Sequence, residues 1–187
     1  MAPRSTLETY AALLRGINVG GKSIIKMRDL VESFERMRFK DVRTYIQSGN
    51  VIFRTKANNP RTLEKNIEKM LAKDHKIRSK VVICDHKKMK AIVKSIPKKW
   101  ANEHSYRHNV LFLRHTIDSK KILGGLKPKP KIEEVVYRPG VLFWSARIGD
   151  LTRTSMVKLS AQKIYQEMTI RNLNTTKKMF ELMQKGG

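Results

Sequence analysis

Apolar residues recur along this chain in two rhythms, and the first half shows both cleanly. Tyr10 to Leu14 is an apolar run of strand length. Met27, Leu30, Val31, Phe34 and Met37 then recur at the spacing of one helix face. Val42 to Gln47 and Asn50 to Phe53 are β-rich stretches on either side of Ser48-Gly49, which predicts a hairpin with a two-residue turn. Asn59-Pro60 supplies an N-cap and a first-turn proline to a second helix, with Leu63, Ile67, Met70 and Leu71 as its core face. Lys80 to Cys84 closes the series as a strand. The order β-α-β-β-α-β is that of a split-βαβ, ferredoxin-like unit.

The second half repeats that order less regularly. Asp85 caps a linking helix with Met89, Ile92, Val93 and Ile96 on one face, and the polar residues 97–106 read as a connection. Asn109 to His115 is a strand, and Asp118 to Leu123 a short helix that Gly124-Gly125 should stop. Lys127-Pro128-Lys129-Pro130-Lys131 follows as a stiff basic loop. Val135 to Tyr137 and Val141 to Trp144 flank Arg138-Pro139-Gly140 as a second hairpin. Val157, Ala161, Ile164 and Met168 fit a helix face, and Asn174 is placed to cap a terminal helix carrying Met179, Phe180 and Met183, ended by the glycines at 186 and 187. The expected architecture is α+β, with two tandem ferredoxin-like subdomains, residues 1–98 and 99–187, built on mostly antiparallel sheets.

Charge changes the picture most. Lys and Arg number 40 against 16 Asp and Glu, a formal net charge of +24. Residues 1–98 hold 23 basic and 9 acidic side chains and residues 99–187 hold 17 and 7, so no single tail accounts for the excess. Such charge costs a compact body self-repulsion that a polyanionic partner would offset. Nucleic acid, RNA or DNA, bound without sequence preference is therefore the expected partner; a purely compositional origin of the charge stays open. No apolar run approaches the ~18 residues of a membrane helix, the first residues lack a secretory signal, and the lone Cys84 allows no intrachain disulfide. A cytoplasmic chain with no membrane partner is therefore the expectation. No cofactor and no metal are expected, since His104 and His108 share only i, i+4 spacing without a metalloprotease glutamate between them. Oligomeric state is open.

Candidate chemistry gathers at the glycine loop after the first strand. Gly16 to Ser23 satisfies G-x-x-x-x-G-K-[ST], yet the helical period starts only near Met27 and a hairpin follows, so a nucleotide-hydrolysing P-loop is not expected. A different use of the loop is an anion or ligand site formed by Arg15, Asn18, Gly20, Gly21 and Lys22, with Gln47, Ser48 and Asn50 of the hairpin beside them. Arg153, Lys158, Arg171 and Asn172 form a comparable C-terminal set, which a cleft between the halves would join to the first. The competing structural reading is that Asn18 and Asn50 satisfy turn backbone, that Gln47 faces solvent, and that Asn172 or Asn174 caps a helix. Tyr137, Phe143 and Trp144 would stack on bases only if they faced solvent. Three function classes follow: polyanion binding without catalysis, an enzyme or sensor for a small phosphorylated or carboxylated ligand at the glycine loop, and a structural or assembly role.

Leu14-Arg15-Gly16-Ile17-Asn18-Val19-Gly20-Gly21-Lys22 and Asp41 to Phe53 resemble the bacterial domain of unknown function family 1697. Leu151-Thr152-Arg153-Thr154 and Thr169 to Thr175 look like two further signatures of that family. The resemblance implies two related α+β subdomains and no activity. Three positions depart from the family pattern: Arg38 stands where a glycine usually ends the first helix, Leu173 replaces a tryptophan, and Ser23 is atypical.

Overall fold

The computed structural model describes residues 7–21 and 23–185. They form two compact units, one of residues 7–90 together with 178–185, the other of residues 91–177. In the first unit the chain runs β1 (Leu7–Leu14), α1 (Met27–Arg36), β2 (Lys40–Thr44), β3 (Asn50–Lys56), α2 (Pro60–His75), β4 (Val81–Asp85) and the start of α3 (His86–Lys94). Its sheet has the order β2-β3-β1-β4, every neighbouring pair antiparallel. β1 is central, and Tyr10 to Leu14, its apolar run, is fully buried. Leu30 and Phe34 of α1 and Leu63, Ile67, Met70 and Leu71 of α2 pack one face of the sheet. Phe53 anchors this core, its ring stacked 4.4 Å from Phe39 and 5.8 Å from Tyr10, centroid to centroid. α2 starts as its sequence dictates: Asn59 Oδ1 accepts the Arg61 N–H at 2.9 Å and Pro60 occupies the first turn.

The second unit contains β5 (Tyr106–Leu113), α4 (Ile122–Leu126), β6 (Glu133–Arg138), β7 (Val141–Arg147), α5 (Met156–Leu159) and β8 (Met168–Asn172). Its order, β6-β7-β5-β8, is again antiparallel throughout, so both units have the ferredoxin-like topology. α6 (Leu173–Gln184) starts in the second unit. Its later residues belong to the first, where Arg43 donates to the Leu182 carbonyl at 3.1 Å and the His86 and Phe180 rings lie 5.5 Å apart.

Several elements differ from what the pattern suggests. The β2–β3 connection is the five residues 45–49 rather than two, with Ile46 and Gly49 at positive φ. Gly49 is required there, because a Cβ would lie 2.9 Å from the Leu14 Cβ. α4 runs through Gly124-Gly125 instead of stopping at them, held by buried Ile122 and Leu126, and ends at Lys127 in the left-handed region. The face Val157-Ala161-Ile164-Met168 is no helix: turns of 3-10 helix at Ile148–Arg153 and Lys163–Glu167 flank a four-residue α5, and Met168 begins β8. Asn172, not Asn174, caps α6, accepting the Thr175 N–H at 2.7 Å. The connection after α3 holds a 3-10 turn, Lys98–Asn102, that buries Trp100. The glycines at 186 and 187 lie outside the described residues.

Candidate functional site

The glycine loop leaves β1 with two backbone ties: Leu14 N–H donates to the Gly49 carbonyl at 2.8 Å and Arg15 N–H to the Lys80 carbonyl at 2.9 Å. Gly16, Asn18, Gly20, Gly21 and Ser23 all have positive φ, so the chain coils tightly between β1 and α1. Asn18 closes the coil. Its Nδ2 donates to the Ile25 carbonyl at 2.9 Å and its Oδ1 accepts the Ile25 N–H at 2.7 Å, a side-chain copy of a strand pairing. The next residues reach α1 only at Met27, and every sheet neighbour is antiparallel, so the geometry that lets a P-loop wrap phosphates is absent among the described residues.

Asn18, Gly21 and Gln47 line one cavity of about 470 Å³ with Ile24, Ile25, Lys26 and Met27. Its surroundings are apolar as well as polar, since Val19, Ile24 and Ile46 are exposed nearby in sequence. Asn50 is fully buried and donates to the Tyr45 carbonyl at 3.1 Å and to Ser48 Oγ at 3.0 Å, bracing the five-residue connection. Arg15 is half-buried and Gly20 exposed; Lys22 lies outside the described residues. Thus Asn18 commits its side chain to the Ile25 backbone and Asn50 its Nδ2 to Tyr45 and Ser48, whereas Gln47 stays exposed.

In the second unit Arg153 is exposed and bonds Asp150 Oδ1 at 2.9 Å. Arg171 is buried, donating to Thr169 Oγ1 and to the Ile170 carbonyl, each at 2.8 Å, and burial pushes its guanidinium down to about 10. These two bonds tie Arg171 to neighbouring residues of β8, while Asn172 caps α6. The aromatic candidates are structural: Phe143 and Trp144 are buried, the Trp144 indole donates to Glu133 Oε2 at 2.6 Å, and Tyr137 donates to Asp118 Oδ1 at 3.0 Å.

Two apparent nucleophiles fail on chemistry. Cys84 is enclosed in β4, where burial pushes its thiol up to about 11, so it carries almost no thiolate at neutral pH. Ser33 Oγ lies 2.9 Å from His75 Nε2, a pairing not foreseen from the sequence because 42 residues separate the two. Ser33 is fully buried; its hydroxyl donates to the Asp29 carbonyl and accepts from Arg36 at 2.7 Å. The ring can then only donate to it, and the contact clips α1 to α2.

The densest exposed chemistry is cationic. Arg61, Lys65, Lys69 and Lys73 recur every fourth residue along α2, all exposed, on the side opposite buried Leu63, Ile67 and Leu71. At 1.5 Å per residue the stripe is ~18 Å long. The acids of the same helix are engaged elsewhere: Glu64 accepts the Ile83 N–H, Glu68 the Val81 N–H, and Asp74 pairs with Arg36 at 3.0 Å. Lys76, Arg78 and Lys80 continue the exposed cations beyond the helix end. The sequence reading singles out none of these four residues; the signal that finds them is a cation at every fourth position beside the apolar face.

No helix among the described residues is long and apolar enough to cross a membrane. In fold the chain is similar to a conserved bacterial protein, SP0830 from Streptococcus pneumoniae, at a TM-score of 0.83 and 24% identity over 95% of this chain and 99% of that one. No curated protein matches the sequence. Both N-terminal blocks, the glycine loop and the β2–β3 connection, fall inside a family match that spans residues 7–144, and the chain belongs to that family, described as protein of unknown function DUF1697.

Proposed function

We propose that this protein binds the backbone of nucleic acids without catalysis, through a cationic outer surface that includes the α2 stripe. The observation that carries the reading is Arg61-Lys65-Lys69-Lys73, a continuous row of exposed cations on a chain of net charge +24. Each cation that neutralises a phosphate releases a condensed counterion, so affinity falls steeply with salt and carries little sequence information. The aromatic candidates Phe143 and Trp144 are buried, which favours phosphate contacts over base stacking. A small anionic ligand at the glycine loop has less support, because Asn18 is committed to the Ile25 backbone and the Asn50 Nδ2 to Tyr45 and Ser48.

Fluorescence anisotropy with a labelled RNA and a labelled duplex DNA, each over a salt series, tests this. Affinity for the duplex should fall with a log–log slope of about −0.9 per phosphate contacted. The triple variant Lys65→Glu, Lys69→Glu, Lys73→Glu should flatten that slope by ~3 if each lysine meets one phosphate. No binding at low salt, or an unchanged slope in the variant, overturns the reading.

A further inference from the structure

The second unit holds a cavity of about 500 Å³ between the 3-10 turn Lys98–Asn102, β5 and the start of α6. That volume is within the range of small-molecule sites. Part of its wall is an aromatic ladder: the Trp100 and His108 rings stack 4.4 Å apart at 18°, and Tyr106 is parallel to His108 within 3°. Arg147 fixes the open end, its Nε donating to the Tyr106 hydroxyl at 3.0 Å. Trp100 is 3% exposed, yet its indole Nε1 has no hydrogen-bond partner among the described residues. A buried polar group left without a partner is rare in a native protein and calls for a reason.

The rest of the lining suggests one. Arg107 and Lys177 are exposed cations on the cavity wall, and the twelve-residue α6 starts there, directing the positive end of its dipole inward. Asn172 has its Oδ1 on the Thr175 N–H, which leaves its Nδ2 as a donor. Donors therefore dominate, and they fit an acceptor-rich anion. The exception is Glu103, whose Oε2 is 3.8 Å from His108 Nε2, beyond hydrogen-bond reach, and which is suited to accept from a hydroxyl.

We propose that this cavity binds a phosphomonoester of a small hydroxylated organic molecule, with Lys177, Arg107 and the start of α6 on the phosphate, the Trp100 indole N–H on an ester or phosphate oxygen, and Glu103 on a hydroxyl. The proposal is independent of the α2 stripe, which lies in the other unit.

The chain has two tryptophans, so a proton–nitrogen correlation spectrum shows two indole resonances, and Trp100→Phe assigns them. Ribose 5-phosphate and adenosine 5′-monophosphate are titrated, with inorganic phosphate, ribose and an RNA without a terminal phosphate as controls. The expected result is a saturable shift of the Trp100 resonance by at least one ester while Trp144 stays still, with at least ~tenfold weaker binding in Lys177→Ala and in Arg107→Gln. Inorganic phosphate should shift the same resonance more weakly, and ribose not at all. Three results overturn the proposal: no shift with either ester, a shift undiminished in both variants, or an equal shift with the unphosphorylated RNA. The triple charge reversal on α2 should leave the ester titration unchanged, which separates a failure here from a failure of nucleic-acid binding.

Discussion

Between β3 and β4 the first unit places one helix of 16 residues, capped at both ends. Between β7 and β8 the second unit fills residues 148–167 with two 3-10 turns around a four-residue helix. The sheets they cover have the same strand order. What differs is how each crossover is fastened. α2 buries a stripe, Leu63, Ile67, Met70 and Leu71, so an apolar period does the work. The second crossover puts only Leu159 fully into its core, with Leu151, Met156 and Ile164 partly buried. Its fastening is polar: the buried Glu133 carboxylate accepts from the Trp144 indole at 2.6 Å, from Ser155 N–H at 2.8 Å and from Lys129 N–H at 3.0 Å. One side chain thereby holds the basic Lys-Pro loop, β7 and the start of α5 together. Equal topologies can thus rest on different physics, one on area removed from water and the other on satisfied buried polar groups.

The largest effects should break that contrast if it is wrong. Ile67 is fully buried, and Ile67→Ala should cost about 2–5 kcal/mol through lost transfer energy and the cavity left behind. Val157 is 57% exposed at the corresponding crossover of the second unit, and Val157→Ala should change stability by less than about 0.5 kcal/mol. Urea denaturation of the pair decides it; comparable losses would mean that the second crossover is also fastened by apolar packing.

Next in size is Glu133→Gln. An amide group keeps one acceptor oxygen but turns an NH2 toward donors, so at least one buried N–H loses its partner, at a cost of about 1–3 kcal/mol. Burial alone pushes the Glu133 carboxyl upward, but the donors from Trp144, Ser155 and Lys129 outweigh it and hold it below its ordinary 4.5. A depressed folded-state value means that this contribution is present above about pH 4.5 and disappears as pH falls through the folded-state value. The gap in urea midpoint between wild type and Glu133→Gln should therefore be full near neutral pH and shrink on acidification. A gap that stays constant down to acid unfolding would remove the carboxylate's charge from the account.

The same contrast explains what could be read from the residues alone. Tyr10 to Leu14, the α2 face and the Asn59-Pro60 start are local signals, each written within one turn or one strand, and they hold. The crossover after β7 defeats local pattern because Val157, Ala161, Ile164 and Met168 have helical spacing, while Glu133, the residue that organises the segment, lies 22 positions before Ser155. Gly124-Gly125 look like a stop, yet buried Ile122 and Leu126 carry the helix through them. Asn18 was legible as either ligand contact or turn brace, and only the distances to Ile25 choose the brace. The cavity beside Trp100 had no local signature, since it assembles a 3-10 turn, a strand and a helix start from residues about 70 apart.

A cap tests the legible side of the contrast. Asn59→Ala removes the bond to Arg61 N–H and should cost about 1 kcal/mol, measured by urea denaturation. A loss below the error of the measurement would mean that Pro60 and tertiary packing fix the start of α2 without the cap.

The smallest expected effect has the opposite sign and concerns how α1 ends. Arg38 sits at φ 64°, in the left-handed region, where its N–H donates to the Glu35 carbonyl at 2.8 Å. A side chain with a Cβ pays roughly 1–2 kcal/mol to adopt that conformation, and glycine does not. Glycine in turn loses more chain entropy on folding, which returns about 0.5–1 kcal/mol of that gain. Arg38→Gly should therefore stabilise the protein by about 0.5 kcal/mol and raise the melting midpoint by ~1–2 °C. Lys127 ends α4 of the second unit in the same way, at φ 47°, so Lys127→Gly supplies the matched test. The backbone argument is the same in both units, and it expects similar gains even though the crossovers are fastened differently. A gain at Arg38 with a loss at Lys127 would show that the Lys127 side chain contributes to holding the basic loop, extending the polar fastening of the second unit beyond Glu133.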